Sequence, residues 1–180
     1  MTTATQAYTI TVFTEDQTGL LSRVVGIFNR RNINIDSLTT SASSDESIHR
    51  FTIVVQVSHD MVEKLIAQLD KQVDVLKAFY YEEKDIVFQE IALYKVPTEA
   101  FNNGSTVEQI IRKHNARVLL IEKEFVVIEK TGHESETGAL LQELKTYGIY
   151  EFVRSGRVAI VKPMERLNNY LQELAAKETV

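Results

Sequence analysis

The chain has 180 residues, with 20 Lys and Arg against 25 Asp and Glu, a net charge of −5, 44% hydrophobic side chains and no cysteine. Its length allows one large domain or two small ones with proper cores. The acidic balance argues against a binder of nucleic-acid backbone, and the missing cysteine excludes disulfides, thiolate metal sites and cysteine nucleophiles. No apolar run approaches the ~20 residues of a membrane span. The opening MTTATQAYTI has no basic stretch leading into an apolar core, so no membrane contact and a cytoplasmic location are expected.

Residues 1–6 are small and polar and are expected to fray. Tyr8, Ile10 and Val12 alternate with threonines, which predicts a strand. A polar loop, Glu15 to Thr18, leads into a helix from Gly19 to Arg31, with Leu21, Val24, Val25 and Phe28 spaced as one buried face and Thr18 as its N-cap. Strands follow at Ile33–Thr40 and Phe51–Val57. The second predicted helix carries Val62, Leu65, Ile66 and Leu69, with Asp60 and Glu63 as a capping box, and Val73–Tyr81 is a fourth strand. Strand–helix–strand–strand–helix–strand is the order of a ferredoxin-like βαββαβ unit, an antiparallel sheet with both helices on one face. The other face must be covered or meet water.

The charge run Glu82-Glu83-Lys84-Asp85 reads as a solvated linker, after which the order repeats. A strand at Phe88–Val96 ends at Pro97, and 98–104 form a loop. Ser105 and Glu108 box a helix whose face is Val107, Ile110, Ile111 and His114. Arg117–Glu122 and Phe125–Glu129 form a hairpin. Ser135 caps a helix with Leu140, Leu141 and Leu144 inward, stopped by Gly148, and Ile149–Val153 and Val158–Val161 are strand-like. The fold class is therefore α+β, two ferredoxin-like βαββαβ domains in tandem. The expected division is 1–82, 83–163 and a C-terminal helix or tail, 164–180, whose Met164, Leu167, Leu171 and Leu174 form one apolar stripe.

Catalytic chemistry is hard to assemble. His49, His59, His114 and His133 lack metal-ligand spacing, no phosphate loop or nucleophile motif is present, and the carboxylate pairs Glu82-Glu83 and Glu122/Glu124 sit where side chains face water. No catalytic residue and no metal are assigned. A nucleic-acid reading fails on the third strand, where Thr52, Val54 and Gln56 offer no stacking platform. The loop before the first helix carries the remaining signal. Gly19 leaves the helix N-terminus bare, a seat for a carboxylate or phosphate, although a glycine there also serves as a plain tight connector. An α-amino acid would find its anion seat at Gly19, Leu20 and Leu21, an ammonium acceptor in Asp16 or Asn34, and an apolar socket around Leu20 and Ile35.

The stretch EDQTGLLSRVVGIFNRRNINIDSL resembles the signature of the regulatory (small) subunit of acetolactate synthase, whose N-terminal half is an ACT domain. Glu15, Gly19, Leu21, Ser22, Arg23, Val24, Gly26, Phe28, Arg31, Asn34, Ile35, Ser37 and Leu38 carry the pattern, with further matches at Val73-Asp74-Val75 and Arg154-Ser155-Gly156-Arg157-Val158-Ala159. The resemblance implies a subunit that does no chemistry itself. It would activate a large catalytic subunit that holds thiamine diphosphate, Mg and FAD and condenses two pyruvates to acetolactate. It would also confer feedback inhibition by valine or another branched-chain amino acid. It further implies a homodimer through ACT domains paired edge to edge, with effector contacts at Asp16, Thr18, Gly19, Leu20, Leu21, Asn34 and Ile35. The loop would come from one protomer and the segment around Asn34 from the other. Two departures stand out. Asp16 occupies a position that is commonly Asn, where a carboxylate holds an ammonium more strongly but repels a ligand carboxylate. Asn32-Ile33 replaces a glycine–aromatic pair, which Asn tolerates because it enters the left-handed region readily. A free-standing ACT-type sensor without an enzyme partner is the alternative.

Overall fold

The computed structural model describes residues 5–43, 47–101 and 106–162. Strand β1 (Gln6–Glu15) is followed by α1 (Leu20–Arg30), β2 (Ser37–Ala42), β3 (Ile48–Val57), α2 (His59–Leu69) and β4 (Val75–Tyr81). The four strands pair antiparallel in the order β2-β3-β1-β4. Alternation places Tyr8, Ile10 and Val12 of β1 beside Val55, Ile53 and Phe51 of β3 on one face. Against that face pack Leu20, Val24, Ile27 and Phe28 of α1 and Val62, Leu65 and Leu69 of α2, all buried.

The inward stripe of α1 is Leu20, Val24, Ile27 and Phe28 in place of the expected Leu21, Val24, Val25 and Phe28, with Val25 only half-buried. The helix starts at Leu20, which turns Leu20 inward at 2% exposure and leaves Leu21 outward at 39%. Its N-cap is Gly19, with φ 83°, and no side chain caps it, so Thr18 does not do so. Nor is there a box at Asp60: α2 starts after Ser58 without a side-chain cap, and Asp60 instead pairs with Lys64 one turn on, at 2.6 Å. The strand predicted from Val73 begins at Val75, leaving Val73 94% exposed.

The second half repeats the plan. β5 (Ile86–Pro97), α3 (Thr106–Lys113), β6 (Arg117–Ile121), β7 (Phe125–Gly132), α4 (Glu134–Leu144) and β8 (Glu151–Arg154) give the strand order β6-β7-β5-β8. This is the expected tandem of ferredoxin-like units, with one addition. β9 (Val158–Val161) pairs with the first residues of β5, on the stretch Ile86–Gln89. The charge run is a short 3-10 turn at Glu83–Asp85. α4 starts after His133, whose backbone N–H donates to Glu136 Oε2 at 2.8 Å, so Ser135 lies inside the helix instead of capping it. A further 3-10 turn, Lys145–Tyr147, separates α4 from Gly148, which takes the left-handed φ of 88° expected of a stop signal. The box predicted at Ser105 and the tail stripe from Met164 lie outside the described residues.

Both halves stop their first helix the same way. Asn32 N–H donates to Asn29 O and Ile33 N–H to Phe28 O, both at 3.0 Å; Asn115 N–H donates to Arg112 O at 3.1 Å and Ala116 N–H to Ile111 O at 2.9 Å. These are paired Schellman bonds around a left-handed residue, and Asn32 (φ 53°) and Asn115 (φ 51°) are the two described non-glycine residues with positive φ. A β-branched side chain resists that conformation. Asn32→Val and Asn115→Val are therefore each expected to lower stability by about 1–2 kcal/mol in urea unfolding, whereas Asn→Gly should be nearly neutral.

The second core centres on Tyr94, fully buried, whose hydroxyl donates to Thr137 O at 2.7 Å. Burial pushes this phenol up to about 12. The unfolded chain would release the same proton near pH ~10. Below that pH both states hold it, and above it the unfolded state binds fewer protons, so stability falls as pH rises from ~10 through the folded value. The expected loss is on the order of 2 kcal/mol by pH 12, read by denaturation at pH 9 and 11.5. Tyr94→Phe should be less stable at pH 9 but show a shallower decline.

The face of the first sheet opposite its helices is closed by the second half. Thr9, Thr11, Thr52 and Val54 on that face are buried. Arg157 lies over the Phe88 ring at 3.6 Å and donates to Thr9 Oγ1 at 3.0 Å, while Arg50 donates to Ala159 O. Gly156 meets β2 so closely that an added Cβ would stand 2.3 Å from Thr39 Oγ1 and 3.2 Å from Leu38 O. At the β1–β4 side, Phe13, Phe79 and Tyr81 form a row of rings. Phe13 meets Phe79 edge-on at 6.3 Å, Phe79 stacks with Tyr81 at 6.2 Å, and Arg50 and Lys77 lie over the first two.

Candidate ligand site at the first helix

β1 ends at Glu15 and α1 begins at Leu20, so the connecting residues 16–19 are exposed at the helix N-terminus. Gly19 adopts φ 83°, ψ −2°, and a Cβ built there meets nothing within 4 Å. Conformation, not crowding, selects glycine, and the space beside the first turn is open. With no side-chain cap, the partial positive charge of the helix end faces that space.

Neighbouring strands brace the loop. Asp16 N–H donates to Ser47 O at 3.1 Å, and the Asp16 carboxylate lies 3.6 Å from His49 Nε2. Glu15 N–H donates to Asp74 O at 3.2 Å, and the Asp74 carboxylate takes an ion pair from Arg23, one turn into α1. Ser47, His49 and the Arg23–Asp74 clasp were not among the predicted site residues, although Asp74 and Arg23 both belong to matched sequence stretches. Leu21 and Val73 are the exposed large hydrophobic residues among described positions 5–81, and both belong to this end of the unit.

The predicted contacts do not gather at one point in one chain. Asp16, Thr18, Gly19, Leu20 and Leu21 lie at the start of α1; Asn34 and Ile35 follow its end. An 11-residue helix separates the groups by about 16 Å at 1.5 Å per residue. Leu20 is withdrawn into the core and cannot line a socket; Leu21 is the leucine that faces out. Ile35 is half-buried against the first core, and Asn34 is exposed, its Nδ2 donating to Asp36 Oδ1 at 3.2 Å.

Two family models match the chain: an AHAS small subunit-like ACT domain over residues 10–77 and the small subunit of acetolactate synthase over 89–163. The acetolactate synthase small subunit of Mycolicibacterium smegmatis is 37% identical over 160 residues, covering 89% of this chain and 94% of its own. The chain belongs to the acetolactate synthase small-subunit family. The Bacillus subtilis small subunit is 35% identical over 154 residues, covering 85% of this chain and 89% of its own. The crystal structure of the small subunit from Thermotoga maritima shares the fold, with a TM-score of 0.80 at 24% identity over 88% of this chain and 98% of that one. In this small-subunit chain the ACT match covers the Gly19 loop and the Asn34 segment together, and the second match covers the Arg154–Ala159 stretch that meets the first sheet. Among the described residues no helix is long and apolar enough to cross a membrane.

Proposed function

We propose that this chain is the regulatory subunit of acetolactate synthase. It binds a catalytic large subunit, which carries thiamine diphosphate, Mg and FAD, raises that subunit's turnover, and lowers it again when valine or another branched-chain amino acid binds at the interface of paired ACT domains. The observation that carries the effector reading is the division of the candidate contacts between the two ends of α1. A free amino acid spans only a few ångströms, so it reaches the Gly19 loop and the Asn34 segment together only if two protomers bring opposite ends of α1 side by side. The edge position of β2, whose residues Thr40–Ala42 are exposed, supports that pairing, since edge-to-edge contact would satisfy its open backbone groups. The seat suits the ligand: the uncapped helix end and its dipole for the carboxylate, beside a Leu20 N–H that already donates to Gln17 O at 3.4 Å, Asp16 for the ammonium, and Leu21 for an apolar side chain.

Reconstitution tests this reading. The purified chain alone should convert no pyruvate. Added to its catalytic subunit, it should raise turnover severalfold, and valine should reverse the gain. A chain that leaves the catalytic subunit's turnover unchanged, with or without valine, would contradict the proposal.

A further inference from the structure

The second sheet packs its helices on one face only, over a core that includes Ala92, Tyr94 and Ile128. Its other face is apolar and, among the described residues, uncovered. Strict alternation along β5 turns Val87, Ile91 and Leu93 to that outer face. The register sets Ile160 of β9 beside Val87 and Val153 of β8 beside Leu93. These five side chains and Val158 are 37–63% exposed, and a hollow of about 260 Å³ opens beside Leu93 and Val153. An antiparallel sheet that turns one face to water carries polar side chains there, whereas a contiguous apolar face marks a surface that something covers.

The chain leaves the described region at the rim of this face. Lys162 N–H donates to Asp85 O at 2.9 Å and its Nζ to Lys84 O at 2.7 Å, which fixes the exit beside the Val87–Ile160 pair. Pro163 has no N–H with which to continue the ladder. Beyond it Met164, Leu167, Leu171 and Leu174 recur at spacings of three and four, one helical face wide, with Glu165, Arg166, Asn168 and Asn169 between them. We propose that residues 163–180 fold back as a helix and lay this stripe on the outer face of their own second sheet. The lengths agree. Val87 to Leu93 spans about 20 Å of strand at ~3.4 Å per residue. Met164 to Leu174 spans about 15 Å of helix at 1.5 Å per residue, and the two steps from Lys162 to Met164 add about 7 Å. Tethering decides the occupant, because a segment anchored at the rim meets the face at an effective concentration on the order of mM, above that of any free second copy. This proposal does not rest on the reading of the Gly19 loop.

Thiol labelling tests it. The chain has no cysteine, so Ile91→Cys puts a single thiol on the face, and Glu108→Cys, exposed on α3, is the control. The rate of reaction with a maleimide is measured in the full chain, in Leu167→Asp/Leu171→Asp and in a chain stopped after Lys162. Position 91 should label at least tenfold more slowly in the full chain than in either altered chain, with position 108 alike in all three. A tenfold excess of cysteine-free full chain should leave the fast rate of the stopped Ile91→Cys chain unchanged. The aspartate pair should keep the wild-type circular dichroism, and it carries the test if the stopped chain fails to fold. Equal rates at position 91 in the full chain and the aspartate pair would overturn the proposal. So would a rise at position 108 that matches the one at position 91. Slow labelling regained in the mixture would assign the face to a second copy and overturn it as well.

Discussion

Gly19→Asp is expected to abolish effector binding while leaving the fold standing. The backbone at this position is left-handed, which costs an L-residue about 1–2 kcal/mol, but aspartate enters that region more readily than most residues, and a carboxylate at a helix N-terminus recovers part of the cost. The new side chain meets no heavy atom within 4 Å of its Cβ, so nothing in the core moves. Its carboxylate then occupies the space in front of the uncapped helix end and repels an incoming one. Affinity for valine at this site should fall at least ~100-fold, equivalent to about 2.7 kcal/mol, with the melting temperature within a few degrees of wild type. The reconstituted enzyme should keep its activation and lose its valine response. Gly19→Asn, with the same backbone tolerance and no charge, should fall between the two.

The second large effect belongs to Gly156. A leucine there drives its Cβ to 3.2 Å from the backbone oxygen of Leu38 and 2.3 Å from Thr39 Oγ1. The hydroxyl of Thr39 can turn away, but the carbonyl belongs to a sheet strand and cannot. The loop must retreat, taking Arg157 from Thr9 and opening the buried face of the first sheet. Overpacking of this kind costs roughly 3 kcal/mol, read by urea unfolding, and small-angle scattering should show a larger radius of gyration. Gly138 is the control. It lies inside α4 with nothing within 4 Å of an added Cβ, so Gly138→Ala should stabilise by roughly 0.5–1 kcal/mol.

What could be read in the chain, and what could not, follows from range. The alternation of Tyr8, Ile10 and Val12 announces β1, because one face of the strand is apolar; that Thr9 and Thr11 on the other face are also buried does not show, since threonine suits water as well. Their cover, Arg157, stands 148 positions away from Thr9. The helix periodicity of α1 is plain, but its phase is not: Leu20 or Leu21, and Val25 or Ile27, both suit an apolar face, and the helix start after Gly19 decides for Leu20 and Ile27. Ser135 looks like a cap because serine is a good one; the cap lies two residues earlier, at His133, to which Glu136 reaches back. At the ligand loop, Gly19 was legible because its role is local. The Arg23–Asp74 clasp joins residues 51 positions apart and became evident only once β4 lay beside β1.

A mixed dimer is the most direct test of whether the effector site is shared between two copies. Gly19→Asp and Asn34→Asp chains, carrying different tags, would be co-expressed, the heterodimer isolated, and L-valine binding at the ACT interface counted. Each homodimer should bind none there. If one copy supplies the loop and the other the Asn34 segment, the heterodimer regenerates a single intact site and should bind one valine with wild-type affinity. A heterodimer that binds none would show that both segments act within one chain, and would contradict the account.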